Sequence, residues 1–242
     1  MIQVFSKEVG GFLNSLIAYI VIGVFLTAIG LLTWVFKDTS VLDNGFANLD
    51  TLFTLGPYVL VFLIPAITMK SFAEERKLGT MELLQTKPLT DWDILLGKFF
   101  ASAVLVLCAL LPTLVYYYTI YQLSDPVGNV DSSGIAGSYI GLFLLGMVFC
   151  SIGILASSLT NNQIVAFLTA AFLCFLFYSG FDSFSALVLE GGQGLFIRQL
   201  GILYHYESLS RGLIDSRDVI YFVCVCFAFL LSTKTVLGSR SW

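Results

Sequence analysis

Charge is what this sequence has least of. Only 12% of its 242 residues are Asp, Glu, Lys or Arg, against 57% hydrophobic residues. Soluble domains carry about twice that charged share. With 12 basic and 16 acidic residues the net charge is −4, and the basic stripe of a nucleic-acid surface is missing, so no nucleic-acid partner is expected. Histidine is reduced to one residue, His205. That rules out a multi-histidine metal cage and leaves little for a Ser–His pair. The five cysteines, Cys108, Cys150, Cys174, Cys224 and Cys226, all fall in apolar runs without ligand spacing and read as small buried hydrophobes. A phosphate-binding loop is lacking too. The one Gly-Lys pair, Gly97-Lys98, has Trp92 where the loop glycine belongs and Phe99 where the magnesium-binding Ser or Thr belongs. No charged residue stands clearly mid-membrane, which counts against an ion-coupled transporter of the usual kind.

Apolar runs of membrane length are what the sequence has instead, and its mean hydropathy is +0.90. Six are expected to cross a bilayer as helices, over about 14–36, 52–69, 99–121, 139–158, 164–181 and 219–237. The fold class is therefore all-α, a polytopic membrane protein in direct contact with the lipid bilayer. Trp34 and the cluster Tyr116, Tyr117, Tyr118 and Tyr121 stand at span ends, where aromatic belts form. Pro65 should kink the second span, and Lys234 should snorkel from the sixth. Residues 1–13 mix bulky apolar groups with Lys7 and Glu8 and predict an interfacial helix. The first span is too long for a signal h-region and no small-residue cleavage site follows it, so it is expected to be retained. Residues 182–218 break the pattern. Their apolar piece, 195–203, is too short to cross and predicts short outer helices between spans five and six. In the fourth span Gly137, Gly141, Gly146 and Gly153 lie on a stripe of small residues that predicts close helix packing.

The longest polar stretch is 70–98, KSFAEERKLGTMELLQTKPLTDWDILLGK, and it carries five of the twelve basic residues. Gripped between two spans, it must reach water at one membrane face. Six crossings put both termini on that face as well. Lys7, Lys70, Arg76, Lys77, Lys87, Lys98, Lys234 and Arg240 then stand on one side, against Lys37, Arg198, Arg211 and Arg217 on the other. This bias assigns the termini and the 70–98 stretch to the cytoplasm. Within it the spacings Lys70–Glu74 and Glu74–Lys77 suit an exposed helix, Gly79-Thr80 offers a break, and Thr90 or Asp91 can cap the next helix.

The string EERKLGTMELLQTKPLTDWDILLGK resembles the pattern E-x-x-x-G-T-x-E-x-L-x-x-x-P-(x)n-G-K of ATP-binding cassette type-2 transporter permeases. It matches at Glu75, Gly79, Thr80, Glu82, Leu84, Pro88, Gly97 and Lys98. The outer stretch 205–222, HYESLSRGLIDSRDVIYF, is similar to that of the gliding-motility-associated permeases of this family. The resemblance implies one permease domain over 1–242 in the inner membrane, a separate ATP-binding cassette ATPase subunit that carries the ATP and Mg, and a second permease subunit, alike or different. This chain would hold no cofactor or metal, have no catalytic residue, and serve as an exporter subunit. Glu74, Glu75, Arg76, Gly79, Thr80, Glu82, Pro88, Gly97 and Lys98 would couple it to the ATPase. Two rivals remain: a membrane anchor of a gliding or secretion complex that moves no solute, and an intramembrane enzyme built on His205.

Overall fold

A computed structural model describes residues 1–80, 89–187 and 192–239. Every regular element among them is helical. In chain order these are α1 (Ile2–Leu13), α2 (Leu16–Trp34), α3 (Val41–Asn44), α4 (Asp50–Thr68), α5 (Lys70–Lys77), α6 (Asp91–Leu110), α7 (Leu114–Leu123) and α8 (Ser132–Leu159). There follow α9 (Gln163–Phe175), α10 (Phe181–Leu187), α11 (Gly192–Leu200), α12 (Ile202–Leu209) and α13 (Ser216–Gly238). Six helical stretches are long and apolar enough to cross a membrane, and they coincide with the six expected runs. The chain is a multi-pass membrane protein. Spans two to six are longer than the expected apolar runs, because polar residues extend the helices at their ends, whereas span one is shorter, Leu16–Trp34. Asp91–Leu123, for example, forms one 33-residue crossing through α6, the 3₁₀ turn Leu111–Thr113 at Pro112, and α7.

Local chemistry sets several helix starts. Thr90 and Asp93 form a capping box at α6: Thr90 Oγ1 accepts the Asp93 N–H, and the Asp93 carboxylate accepts the Thr90 N–H. Asp131, Asn162 and Asp215 cap α8, α9 and α13 in the simpler way, each side chain accepting a backbone N–H of the first turn. The Asp131 carboxyl is held below its ordinary value by the N–H of Gly134 and the Ser133 hydroxyl.

Span four is the hub. In its most apolar window 72% of the residues are buried inside the protein, against 28% in span one and 22% in spans five and six. Its small-residue stripe explains this, and each glycine serves a different neighbour. A Cβ on Gly137 would stand 2.7 Å from the Gly212 carbonyl oxygen, on Gly141 2.6 Å from Leu209 Cβ, and on Gly146 2.7 Å from Val106 Cγ1. At Gly153 it would overlap the Thr68 hydroxyl at the end of α4. The stripe is thus four separate close approaches, to the turn after α12, α12 itself, α6 and α4 in turn. Spans five and six pack on the hub and span one packs on span two; all three present exposed apolar faces, among them Leu16, Tyr19 and Val24 on α2, Leu168 and Phe172 on α9, and Ile220 and Phe227 on α13.

Candidate functional site: the coupling end of the bundle

Gly97 and Lys98 lie two turns into α6, where the absence of a side chain on Gly97 lets α1 settle against the helix. A Cβ there would meet Val4 Cβ at 3.0 Å and the backbone nitrogen of Phe5 at 3.2 Å. One turn beyond Val4, Glu8 reaches over Lys98, and Lys98 Nζ stands 2.8 Å from Glu8 Oε1. From α5, Glu75 Oε2 lies 3.0 Å from the same ammonium, and Lys7 adds a 3.3 Å contact to Glu75 Oε1. The Phe72 ring centroid lies 5.1 Å from Nζ. The Lys98 side chain is 1% exposed and its two carboxylates 15% and 12%. A buried ammonium is tolerated only with such partners. Three helices that are far apart in sequence are therefore held by one cation.

The end of α5 shows why Gly and Thr follow Glu75 at this spacing. Leu78 closes the helix, Gly79 takes the left-handed conformation at φ +68°, and Thr80 folds back. The Gly79 N–H bonds the Arg76 carbonyl at 3.2 Å and the Thr80 N–H bonds the Glu75 carbonyl at 2.9 Å, the paired bonds of a Schellman motif. The Thr80 hydroxyl donates to the Glu75 carbonyl as well, at 3.3 Å. Glu75 is thus pinned at both ends, its backbone by the cap and its carboxylate by Lys98.

Span four supplies a residue that the sequence pattern did not single out for coupling. Met69, between α4 and α5, keeps helical dihedrals (φ −55°, ψ −30°), so the two helices form nearly one rod. The hydroxyl of Ser157 enters at this joint. Its Oγ accepts the N–H groups of Phe72 and Ala73 at 3.0 and 3.1 Å and donates to the Met69 carbonyl at 2.9 Å. A polar side chain set into the backbone ladder is an identified cause of helix breaks. The break between α4 and α5 falls at Met69, four residues after Pro65. In the sequence Ser157 appeared only as a small partner of Gly153; pairing it with 69–73 requires the tertiary fold.

The sequence assigned Gly97 and Lys98 to a wet docking surface; the structure corrects this. Both face inward, and 70–98 is not a loop along its length, since α5 and the first turns of α6 occupy its two ends. Exposed residues on α5 and its cap are Lys77, Leu78 and Gly79, while Glu74, Glu75, Arg76 and Thr80 are half-buried. The nitrogens of the Arg76 guanidinium are buried and make no hydrogen bond among the described residues. The Lys70–Glu74 and Glu74–Lys77 spacings form no ion pair among the described residues. Glu82 and Pro88 lie outside the described residues. The N-terminal amine bonds Asp93 at 3.2 Å, and Lys234 of α13 lies 5.2 Å from the Trp92 ring. Both terminal helices thus meet the Lys98 end of the bundle.

At the opposite end, α10 to α13 carry a second polar cluster. Asp218 accepts from the Ser208 hydroxyl and lies 2.7 Å from His205 Nδ1, whose ring stacks on Tyr221 at 3.9 Å. His205 Nε2 meets the Gln199 carbonyl at 3.0 Å. Both ring nitrogens are therefore engaged, and Ser208 turns to Asp218 instead of the imidazole, an arrangement that ties α12 to α13. Arg198 bridges Asp182 and Glu207 at 2.9 and 3.2 Å. Tyr206 donates to the Phe53 carbonyl at 2.7 Å, and burial pushes its phenol well above the ordinary value. Of the tyrosine cluster, Tyr116 bonds the Leu26 carbonyl at 3.2 Å, Tyr117 pairs with Ser132 at 2.8 Å, and Tyr118 is exposed.

The described residues thus form a six-span bundle with a buried ionic joint between α1, α5 and the foot of span three. The chain belongs to the ABC-2 family transporter proteins, whose model matches residues 2–219. It is also similar to the probable multidrug ABC transporter permease YbhR of Escherichia coli K12 and of Escherichia coli O157:H7, with 29% identity over 125 residues. That match covers 50% of this chain and 32% of each relative.

Proposed function

We propose that the chain is the membrane subunit of an ATP-driven exporter, set in the inner membrane with α1, α5 and both termini in the cytoplasm. A separate ATPase subunit docks on the exposed residues Lys77, Leu78 and Gly79 and the residues that follow, and supplies ATP and Mg. The observation that carries this reading is the shared cation. Because Lys98 joins Glu75 to Glu8, a push on α5 is passed to α1 and α6 together, while Ser157 passes it to span four. Packed helices shift as units between discrete arrangements, so this joint can convert nucleotide-driven closure into span movement.

The printed name of the E. coli relatives supports a multidrug-type cargo. So does an apolar groove of about 500 Å³ on the outer side of spans one, two and five, lined by Ile20, Val24, Tyr58, Phe62 and Phe167 among others. The same face is the seam for a second permease subunit. A gliding-motility role rests on the resemblance of 205–222 alone, and a purely anchoring role would need no coupling to ATP.

Coexpression with the cognate ATPase tests the reading. Gly79→Pro and Glu75→Gln should assemble poorly or lose cargo-stimulated ATP hydrolysis in proteoliposomes. Wild-type stimulation in both variants would remove α5 from the mechanism, and a wild-type complex that shows no cargo-stimulated hydrolysis would favour the anchor.

A further inference from the structure

Between α1 and α5, above Lys98, lies a polar cleft of about 460 Å³. Three lysines and three glutamates line it, Lys7, Lys70 and Lys98 against Glu8, Glu74 and Glu75, so its formal charge cancels. The cancellation is not internal pairing throughout. Lys98 is committed to Glu8 and Glu75, and Lys7 to Glu75. Lys70 and Glu74 stand one helical turn apart on the cleft wall, a spacing that favours an ion pair, yet none joins them. Between them in sequence, Ser71 is 4% exposed and its hydroxyl has no hydrogen-bond partner. Buried hydroxyls are rarely left unmatched. Around one cavity, one ammonium and one carboxylate thus lack an ion-pair partner among the described residues and one hydroxyl lacks a hydrogen-bond partner, while Glu75 Oε2 lies 3.0 Å from Lys98 Nζ without forming a hydrogen bond to it. Phe12 and Leu78 add apolar lining, and the interfacial helix α1 forms one wall.

We propose that this cleft binds the headgroup of an aminophospholipid of the phosphatidylethanolamine class from the inner leaflet. Its phosphate sits on Lys70 Nζ and the Ser71 hydroxyl, and its primary ammonium on the Glu74 carboxylate. The choice follows from charge complementarity. A singly anionic headgroup would satisfy Lys70 but stand beside Glu74 with nothing to neutralise it. A trimethylammonium would bring the charge without an N–H to donate to the carboxylate. The seated lipid would fill the space between α1 and α5 without breaking the Lys98 joint.

Native mass spectrometry of the delipidated full-length protein, titrated in mixed micelles with phosphatidylethanolamine, phosphatidylcholine or phosphatidylglycerol, tests the site. Phosphatidylethanolamine should bind at least about fivefold more tightly than either of the others, and Lys70→Gln and Glu74→Gln should each weaken it about tenfold, the loss expected of one charge-assisted hydrogen bond. Neither side chain has an ion-pair partner among the described residues, so these variants remove the ligand contact without removing an ion pair seen there. Glycerophosphoethanolamine, the soluble headgroup, should not compete at matched concentration. Three results would overturn the proposal: phosphatidylglycerol bound as tightly as phosphatidylethanolamine, retention unchanged in both variants, or saturation by the soluble headgroup alone, which would make the ligand a soluble phosphate ester.

Discussion

The two ends of the bundle use the same chemistry to different effect. At the Lys98 end the cation is enclosed, 1% exposed, and it joins three helices. At the opposite end Arg198 also bridges two carboxylates, but its side chain is 37% exposed and theirs are 41% and 40%. Solvent screens the second arrangement and leaves it worth little, whereas in the first the penalty of an unpaired charge holds the partners together. Burial, more than the count of ion pairs, separates a joint from an ornament of the surface.

Breaking the comparison at its strong end should have the largest effect. Lys98→Met strands Glu8 and Glu75 together, and chemical unfolding in detergent should report a loss of about 3–5 kcal/mol. The triple variant Glu8→Gln, Glu75→Gln, Lys98→Met should recover much of that loss while still failing to couple to the ATPase. Recovery of coupling as well would show that ion pairing is not what transmits force. Next in size is Gly153→Val, whose added atoms fall on the Thr68 hydroxyl; overpacking of this kind should lower stability by about 1–3 kcal/mol and shift the melting temperature down. Ser157→Ala deprives the Phe72 and Ala73 N–H groups of their side-chain acceptor. A cost of about 1–3 kcal/mol is expected, with faster hydrogen exchange confined to the joint at Met69. The smallest change belongs to the opposite end. Arg198→Gln should alter stability by no more than about 1 kcal/mol and leave ATP coupling intact. If Arg198→Gln matched Lys98→Met, the distinction between the ends would fail.

Charge arithmetic misjudged the residues whose partners are distant. The 70–98 stretch looked uniformly wet because it is rich in Lys and Glu, and local spacing suggested pairs within α5. Those pairs do not form. Glu75 instead finds Lys98, 23 positions on, which is already taken by Glu8, 90 positions back. A hint was present: Lys98 follows Ile94 and Leu95 and precedes Phe99, so the helix that carries it turns apolar just there, and a lysine in that setting needs a carboxylate from elsewhere. Nothing local names Glu8 as its source.

Local order was easier to read. Thr90 with Asp93 is a capping box written in four residues, and Gly79-Thr80 ends α5 because only glycine enters the left-handed region without strain. Six spans followed from composition, since a run of about 20 apolar residues has no other stable home than a helix across lipid. These properties depend on neighbours within a turn or on bulk solvation, so the chain dictates them by itself. The hub role of span four, the wedge of Ser157 and the enclosure of Lys98 depend on which helices touch. That is decided by where residues without side chains allow backbones to meet, and only the packed bundle shows it.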